Sequence, residues 1–520
     1  MTDYKVPTES FPGSVESKLG AIAKALEAMT GQRMLQWDSE AGEYDPDSVA
    51  NFFDAMADGK SYGYSMPKGL STVLTKLGAH AGLANPVPGV IGRPCVDPYV
   101  GHAPFFHIET NVTVDSDGEQ HFVGIEGDGR FSRTGSNGNV FVAAPVLYES
   151  NDGTNDAIVK FVSTSKLAGM AYQPGALLPS GKRRPCMTYA KYPLGTYNGS
   201  PSSVSGVHPR IRDVSHNSLQ SIFPPSTSGY SGKSYVDDWY AQVMFWLKYG
   251  TKNSQSVFAG CSSYNYTYPI TVAETSVTRA IIATSQAGNL VVGSSVCIGT
   301  SDRGQQVCPD SRIVRIEDYD GTNSAVYLDA PSAFSTSTSA NVYTVPWQCG
   351  ACDGVEGDGS PSNPLSPKEP FVLQGIELMH GMTEVLGDVI VENVGSGWEP
   401  CLLHDYRNAA DSVTSNYTRT GVYLIADSTD SWKYPKYAVD AGGLLVGQDA
   451  GASQSTGICD GNYTSKLETL GTREWRGLGN LYNGGIAGLR CVHAYSGLGG
   501  AGGDFGSRLS GHGRKGVNAV

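Results

Sequence analysis

Apolar residues along this chain keep two different rhythms. Near the start, Val15, Leu19, Ile22, Ala23, Leu26 and Met29 recur every three or four residues and predict an amphipathic helix over residues 14–29. A second, short helix is predicted to start at Asp45-Pro46, a capping residue followed by a proline that fits the first turn. It presents Val49, Phe52, Phe53 and Met56. The two helices either pack on their own domain or form a stem that buries its stripe against symmetry mates.

Between residues 85 and 165 the rhythm changes to short alternating runs (106–114, 120–125 and 139–147), separated by Asp-Ser-Asp-Gly, Gly-Asp-Gly and Gly-Ser-Asn-Gly turns. This predicts an antiparallel β region. Helical spacing returns over residues 235–249. Ser234 is placed to cap this helix, Asp237 and Asp238 suit its first turn, and Val236, Trp239, Tyr240, Val243, Met244 and Leu247 form a broad apolar face. Strand-like runs follow at 271–283, 289–298, 312–317, 325–328 and 340–345, enough for a small barrel inserted between helix-bearing stretches. Residues 349–370 read as a Gly-, Ser- and Pro-rich linker loop. From Gly488 onward the chain thins to small residues that must lie on a scaffold built elsewhere.

Composition agrees with this β-rich picture: 65 glycines and only 17% charged residues in 520. That length requires several cores. The formal charge of −13 argues against nucleic acid as a partner. No apolar run approaches the ~18–20 residues of a membrane-crossing helix, and no signal peptide is expected. Two metal readings compete with plainer ones. Cys349 and Cys352 with Cys297 and Cys308 form either a zinc site or ordinary thiols. Asp115, Asp117, Glu119 and Asp128 form either a calcium loop or hairpin turns. The plainer reading is preferred for both, so no metal and no cofactor are expected.

Three segments together carry a family resemblance. The first is the 239–249 stretch with Thr251-Lys252-Asn253-Ser254-Gln255 after it. The second is residues 375–391, where His380-Gly381, Glu384 and Gly387-Asp388 look like a degraded Gly-Asn-Trp-Glu turn. The third is WRGLGNLYNGGIAGLRCVHAYSGLGGAGGDFGSRLSGHGRKG, residues 475–516. The chain thereby resembles proteins with a C-type-lectin-like fold of the formylglycine-generating-enzyme type, in particular the variable proteins of diversity-generating retroelements. Val49-Ala50-Asn51-Phe52-Phe53-Asp54 and residues 115–129 are also similar to phage tail or fibre proteins.

The resemblance implies an α+β, β-rich multidomain protein. Its parts would be an N-terminal helical stem (1–84), an antiparallel β domain (85–165), and a C-type-lectin-like domain in two parts (166–263 and 349–520) around an inserted β module (264–348). It further implies a phage virion protein, a homotrimer among other virion proteins, that attaches to a host-cell receptor, either protein or glycan. The alternative is a purely structural decoration or baseplate protein. By the same resemblance, Gly479, Asn480, Leu481, Gly484, Ala487, Gly488, Leu489, Gly497 and Leu498 would hold the scaffold. Tyr482, Ile486, His493, Tyr495, Ser496, Gly500, Gly502, Asp504 and Phe505 would form a variable contact surface. Aromatic rings set among glycines suit such a surface, as in antibody loops. One constraint follows from strand alternation. If Leu489 and Cys491 face the core, His493 and Tyr495 reach water only where a strand ends or bulges near Val492. No catalytic residue is expected, because the enzyme relatives use a closely spaced cysteine pair whereas Cys459 and Cys491 stand apart. No HExxH, GxSxG or phosphate-loop motif is present either.

Overall fold

A computed structural model describes residues 35–516; the helix expected at 14–29 lies outside them. The helix at Pro46–Asp54 forms as expected, with the Asp45 carboxylate accepting from the Asp47 and Ser48 amides. It buries Val49, Phe52 and Phe53. The rest of the molecule is β-rich, with most strands gathered into four large sheets.

A seven-stranded antiparallel sheet runs in the order Trp37–Asp38, Glu43–Tyr44, Gln120–Ile125, Ile108–Val114, Asn139–Ala144, Met187–Pro193, Arg508–Ser510. Its last strand arrives from more than three hundred residues downstream. A five-stranded sheet pairs Ala171–Tyr172, Tyr148–Gly153, Ala157–Ser163, Tyr62–Pro67 and Thr75–Gly78 in that order. Strand pairing therefore crosses residue 85, and residues 35–84 are one short helix among strands. The strand expected from residue 106 starts at Ile108, after a short turn at Ala103–Phe105. The one expected to reach residue 147 stops at Ala144, before Pro145, which has no N–H to pair.

All six strands of the third sheet lie between Thr267 and Val345. The chain after Thr267–Pro269 hydrogen-bonds to Ala340 on one side and Ile281 on the other, so the sheet curls back on itself. Its strands are shorter than the runs at 271–283 and 289–298, beginning only at Arg279 and Ser295. Gly293, at φ +95°, turns the chain just before the second of them. The fourth sheet has eight strands: Tyr417–Arg419, Glu399–Leu403, Thr383–Asn393, Gly471–Gly477, Val492–Ala494, Asn462–Thr464 and Ser431–Lys433 in order, with Phe505–Gly506 parallel to Thr383–Asn393.

The helix Tyr235–Tyr249 occupies the place where three of these sheets meet, and all fifteen of its residues are buried. Val236, Trp239, Tyr240, Val243, Met244 and Leu247 share one cluster with Tyr62 and Tyr64 of the second sheet, Met187 and Tyr189 of the first, and Leu386, Trp475 and Val492 of the fourth. Each such large side chain contributes ~1.5–3 kcal/mol on burial. Ser234 and Asp237 close a reciprocal capping box at the start, and Gly250 ends the helix in the left-handed conformation at φ +59°.

The polar side of the helix is buried too, which only paired charges allow. Lys248 reaches Asp97 (2.7 Å) and Asp358 (2.5 Å). Asp238 meets Lys233 (2.7 Å), which also reaches Glu384 (3.0 Å), and Glu384 holds Arg508 (2.9 Å). The register of Thr383–Asn393 slips between Val385 and Ile390, and this bulge carries Asp388 to the start of the helix. There Asp388 accepts from Ser234, the Tyr235 amide and Lys515 (2.6 Å). His512 stands 3.0 Å from Asp237. The 349–370 segment contains no strand, yet it is tied down as firmly: Asp353 accepts from Tyr192 and Ser205, and Asp358 from Lys248 and Tyr249. Among the described residues, no helix is long and apolar enough to cross a membrane.

Removing the Lys515 ammonium strands the Asp388 carboxylate in the interior. Lys515→Ala is expected to cost ~3–5 kcal/mol in urea unfolding, against less than about 1 kcal/mol for Lys182→Ala, whose partner Glu119 lies at the surface.

A second expectation concerns acid. Burial holds the wholly enclosed His216 imidazole down to about 4, below the ordinary value near 6.5. The unfolded chain therefore takes up a proton that the folded chain refuses. The stability tied to this group is complete above pH 6.5 and drains away as the pH falls toward 4. Comparing unfolding free energies at pH 7 and pH 4, His216→Gln should remove roughly 3 kcal/mol of the pH dependence.

Candidate functional site

The C-terminal segment is laid over this scaffold, and cross-strand register decides which side chains it exposes. Arg476 stands opposite His493, His493 opposite Tyr463, and Tyr463 opposite Trp432. Directly paired residues share a face, so these four side chains form one row on the outer side of the fourth sheet. Their chain neighbours Trp475, Val492 and Ala494 point inward to the helix and are buried.

The strand carrying His493 begins only at Val492. Before it the chain turns, with the Cys491 amide bonded to the Gly488 carbonyl at 3.1 Å. The inward alternation of Leu489 and Cys491 is thus broken at the place the sequence required. Gly488 has φ +147°, and a Cβ there would lie 2.2 Å from the Asp460 carboxylate, so only glycine fits. Asp460 accepts from Ser254 (2.9 Å) and the Arg490 amide (2.8 Å), and burial pushes its carboxyl up to about 7. Gln255 donates to the Gly484 carbonyl at 2.8 Å. The stretch after the long helix therefore supports the C-terminal segment directly.

Most of the residues expected to hold the scaffold are buried: Gly479, Asn480, Leu481, Ala487, Gly488, Leu489 and Leu498. Gly484 is half-buried and Gly497 exposed. Leu481 plugs into the core of the third sheet, its carbonyl accepting from the Tyr264 amide at 2.8 Å. Of the expected contact residues, Tyr482 (53%) and Tyr495 (45%) are exposed, while Ile486, Ser496, Gly500, Gly502 and Phe505 are half-buried. His493 and Asp504 lie beneath them. His493 is packed edge-on to Trp432 (4.8 Å between centroids), and burial pushes its pKa well down, with Arg476 adding to the effect. Asp504 accepts from Asn480, and burial raises its carboxyl against the pull of Arg303 and Arg476.

Sequence reasoning missed four members of this surface. Trp432 and Tyr463 come from short strands outside the C-terminal segment. Tyr463 meets Trp432 and Tyr495 edge-on, each at 5.1 Å. Arg476 lies against the Phe505 ring (3.7 Å) and donates to Ser496 (2.9 Å), which fixes how both are presented. Arg303, on a loop of the third sheet, packs beside Gly503. Arg212 anchors this join by donating its amide to the Gly502 carbonyl (3.0 Å) and its guanidinium to Asp310 and the Arg303 carbonyl. Only the Trp-Arg-Gly string at 475–477 offered any local signal. The other three reach the surface through pairings and a loop that join distant parts of the chain.

Neither metal reading gathers ligands: no group of three or more His, Cys, Asp or Glu among the described residues could hold an ion, and all ten cysteines are free thiols. Asp115 instead accepts from the Asp117 and Glu119 amides in an ordinary hairpin turn, and Asp128 is taken by Tyr44 and Arg130. No protein-family model matches the chain, and no curated protein matches it.

The outer face is separable from the fold. Tyr482→Asn and Tyr495→Asn should each shift unfolding by less than about 1 kcal/mol, whereas Trp475→Ala, on the inner face, should cost ~3–5 kcal/mol; thermal and urea unfolding of the three variants measures the contrast.

Proposed function

We propose that this chain is a phage virion protein, a tail or fibre component, that attaches to host-cell receptors through the surface around Tyr482, Tyr495 and Phe505. Residues 166–263 and 349–520 would form a C-type-lectin-like domain interrupted by the curled sheet of residues 267–345. One observation carries the reading. Along residues 479–505, positions expected to be fixed are mostly buried, and positions expected to vary mostly reach the surface. A segment built this way tolerates exchange of its outer side chains while its backbone stays held by Asp460, Gln255 and Gly381.

The exposed chemistry also supports binding. Tyr and Trp are over-represented at energetic hot spots; here Tyr482 and Tyr495 are exposed and Trp432 is half-buried, and ring contacts to Tyr463 hold Tyr495 and Trp432, so little ordering cost remains. In a homotrimer mounted on a particle, several weak sites of this kind would add through avidity.

The alternative, a structural virion protein without a receptor site, makes the opposite forecast for one experiment. Particles carrying Tyr482→Asn, Tyr495→Asn and Phe505→Asn together should assemble normally and adsorb poorly or to different hosts; particles that fail to assemble would instead mark the segment as a subunit contact. In the genome, an imperfect copy of the DNA for residues 475–516, differing at adenines and close to a reverse transcriptase, is the expected companion of this gene.

A further inference from the structure

A cleft of about 530 Å³ opens where the second and fourth sheets meet, near the first turn of the long helix and away from the Tyr482–Phe505 surface. Its walls are Ser150 and Asn151, the stretch from Gly169 to Gly175, the strand ends at His404 and Thr418, and the turn from Asp440 to Gly443. The size falls within the ~300–1,000 Å³ typical of small-ligand sites.

Buried Lys160 bonds to both Glu149 and Asp440 at the floor. Asp440 is already filled: it also accepts from the Trp239 indole (3.0 Å) and the Gly443 amide (2.6 Å). Glu149 is the floor carboxyl that retains accepting capacity. On one wall the Tyr235 hydroxyl bonds to Nδ1 of His404 (3.2 Å), and burial keeps that ring neutral, with a pKa near 4. Its other nitrogen is left for a ligand. Arg419 stands at the rim with its charge matched by Glu392 and Glu399. Tyr172, stacked on Tyr148 (4.7 Å), adds an aromatic wall.

These groups select a ligand class. A free anion would meet Glu149 and Asp440, and a free cation would meet Lys160 and Arg419. Side by side, the cleft offers an acceptor in Glu149, donors in the remaining N–H groups of Arg419 and Asn151, and hydroxyls that do both in Ser150 and Thr418. A sugar hydroxyl likewise donates and accepts, and its ring presents an apolar face to tyrosine. We propose that this cleft is a binding site for an uncharged saccharide unit, distinct from the receptor surface.

The test uses the full chain and four probes, namely methyl glucoside, methyl galactoside, methyl mannoside and N-acetylglucosamine, read by saturation-transfer NMR. At least one should bind. Ala171, exposed and directly opposite Glu149 in the strand ladder, allows a plug: Ala171→Trp should abolish the signal. Glu149→Gln, which exchanges one acceptor oxygen for an amide donor, should weaken binding by about fivefold. Thr418→Trp, on the opposite wall, repeats the plug should Ala171→Trp disturb folding. Absence of binding by all four probes overturns the proposal, as does binding that survives both plugs. Binding lost in Tyr495→Asn but kept in Ala171→Trp also overturns it, by moving the sugar to the C-terminal surface.

Discussion

The first turn of the central helix places Asp238 out of water beside two more buried carboxylates, Glu384 and Asp388, and the structure depends on how these three are neutralised. Three cations meet them: Lys233 from just before the helix, and Arg508 and Lys515 from residues near the C-terminus. Burial alone would raise the Glu384 carboxyl, yet Arg508 and Lys233 hold it down to about 2. For Asp388 burial wins and its carboxyl stays raised despite Lys515. Removing either C-terminal cation leaves an interior charge uncompensated, which costs far more than an exposed pair contributes. The same stretch supplies the Arg508–Ser510 strand, so neutralisation and sheet completion occur in one place.

That arrangement organises the surface. Once residues 508–515 are fixed at the helix and Leu481 is fixed in the core of the third sheet, the chain between them has both ends pinned. Its glycines then span short, defined gaps. Tyr482, Tyr495 and Phe505 are presented by a backbone whose position owes little to their own side chains.

Local elements were legible wherever one strong signal decided them. The long helix matches its reading to the residue, because the Ser234 cap, the acidic first turn and the apolar spacing agree. Its burial on every side was not legible: Lys248 lies off the apolar face and is enclosed because its partners, Asp97 and Asp358, lie elsewhere in the sequence. Strand existence was read better than strand length, because glycine turns and bulges cut the alternating runs. The division at residue 85 gave no hint that Tyr62–Pro67 pairs with Ala157–Ser163, a long-range choice that alternation alone does not specify. At the surface, Tyr482 and Tyr495 were legible as aromatics among glycines. Trp432, Tyr463 and Arg303 were not, being joined to them only by tertiary pairing and loop contact.

The Arg508–Ser510 strand also sets an order of events. Strands that pair early in synthesis, such as Ile108–Val114 with Asn139–Ala144, can form while the chain is still emerging. The edge of Met187–Pro193 that receives Arg508–Ser510 cannot be covered until some three hundred further residues have been made. A ribosome adding ~5–20 residues per second leaves that edge open for roughly a quarter to one minute. During that interval the nascent protein carries an unpaired strand edge of the kind that recruits a neighbouring chain. Protection of this intermediate then matters to how much protein reaches its native form, alongside the strength of the finished fold.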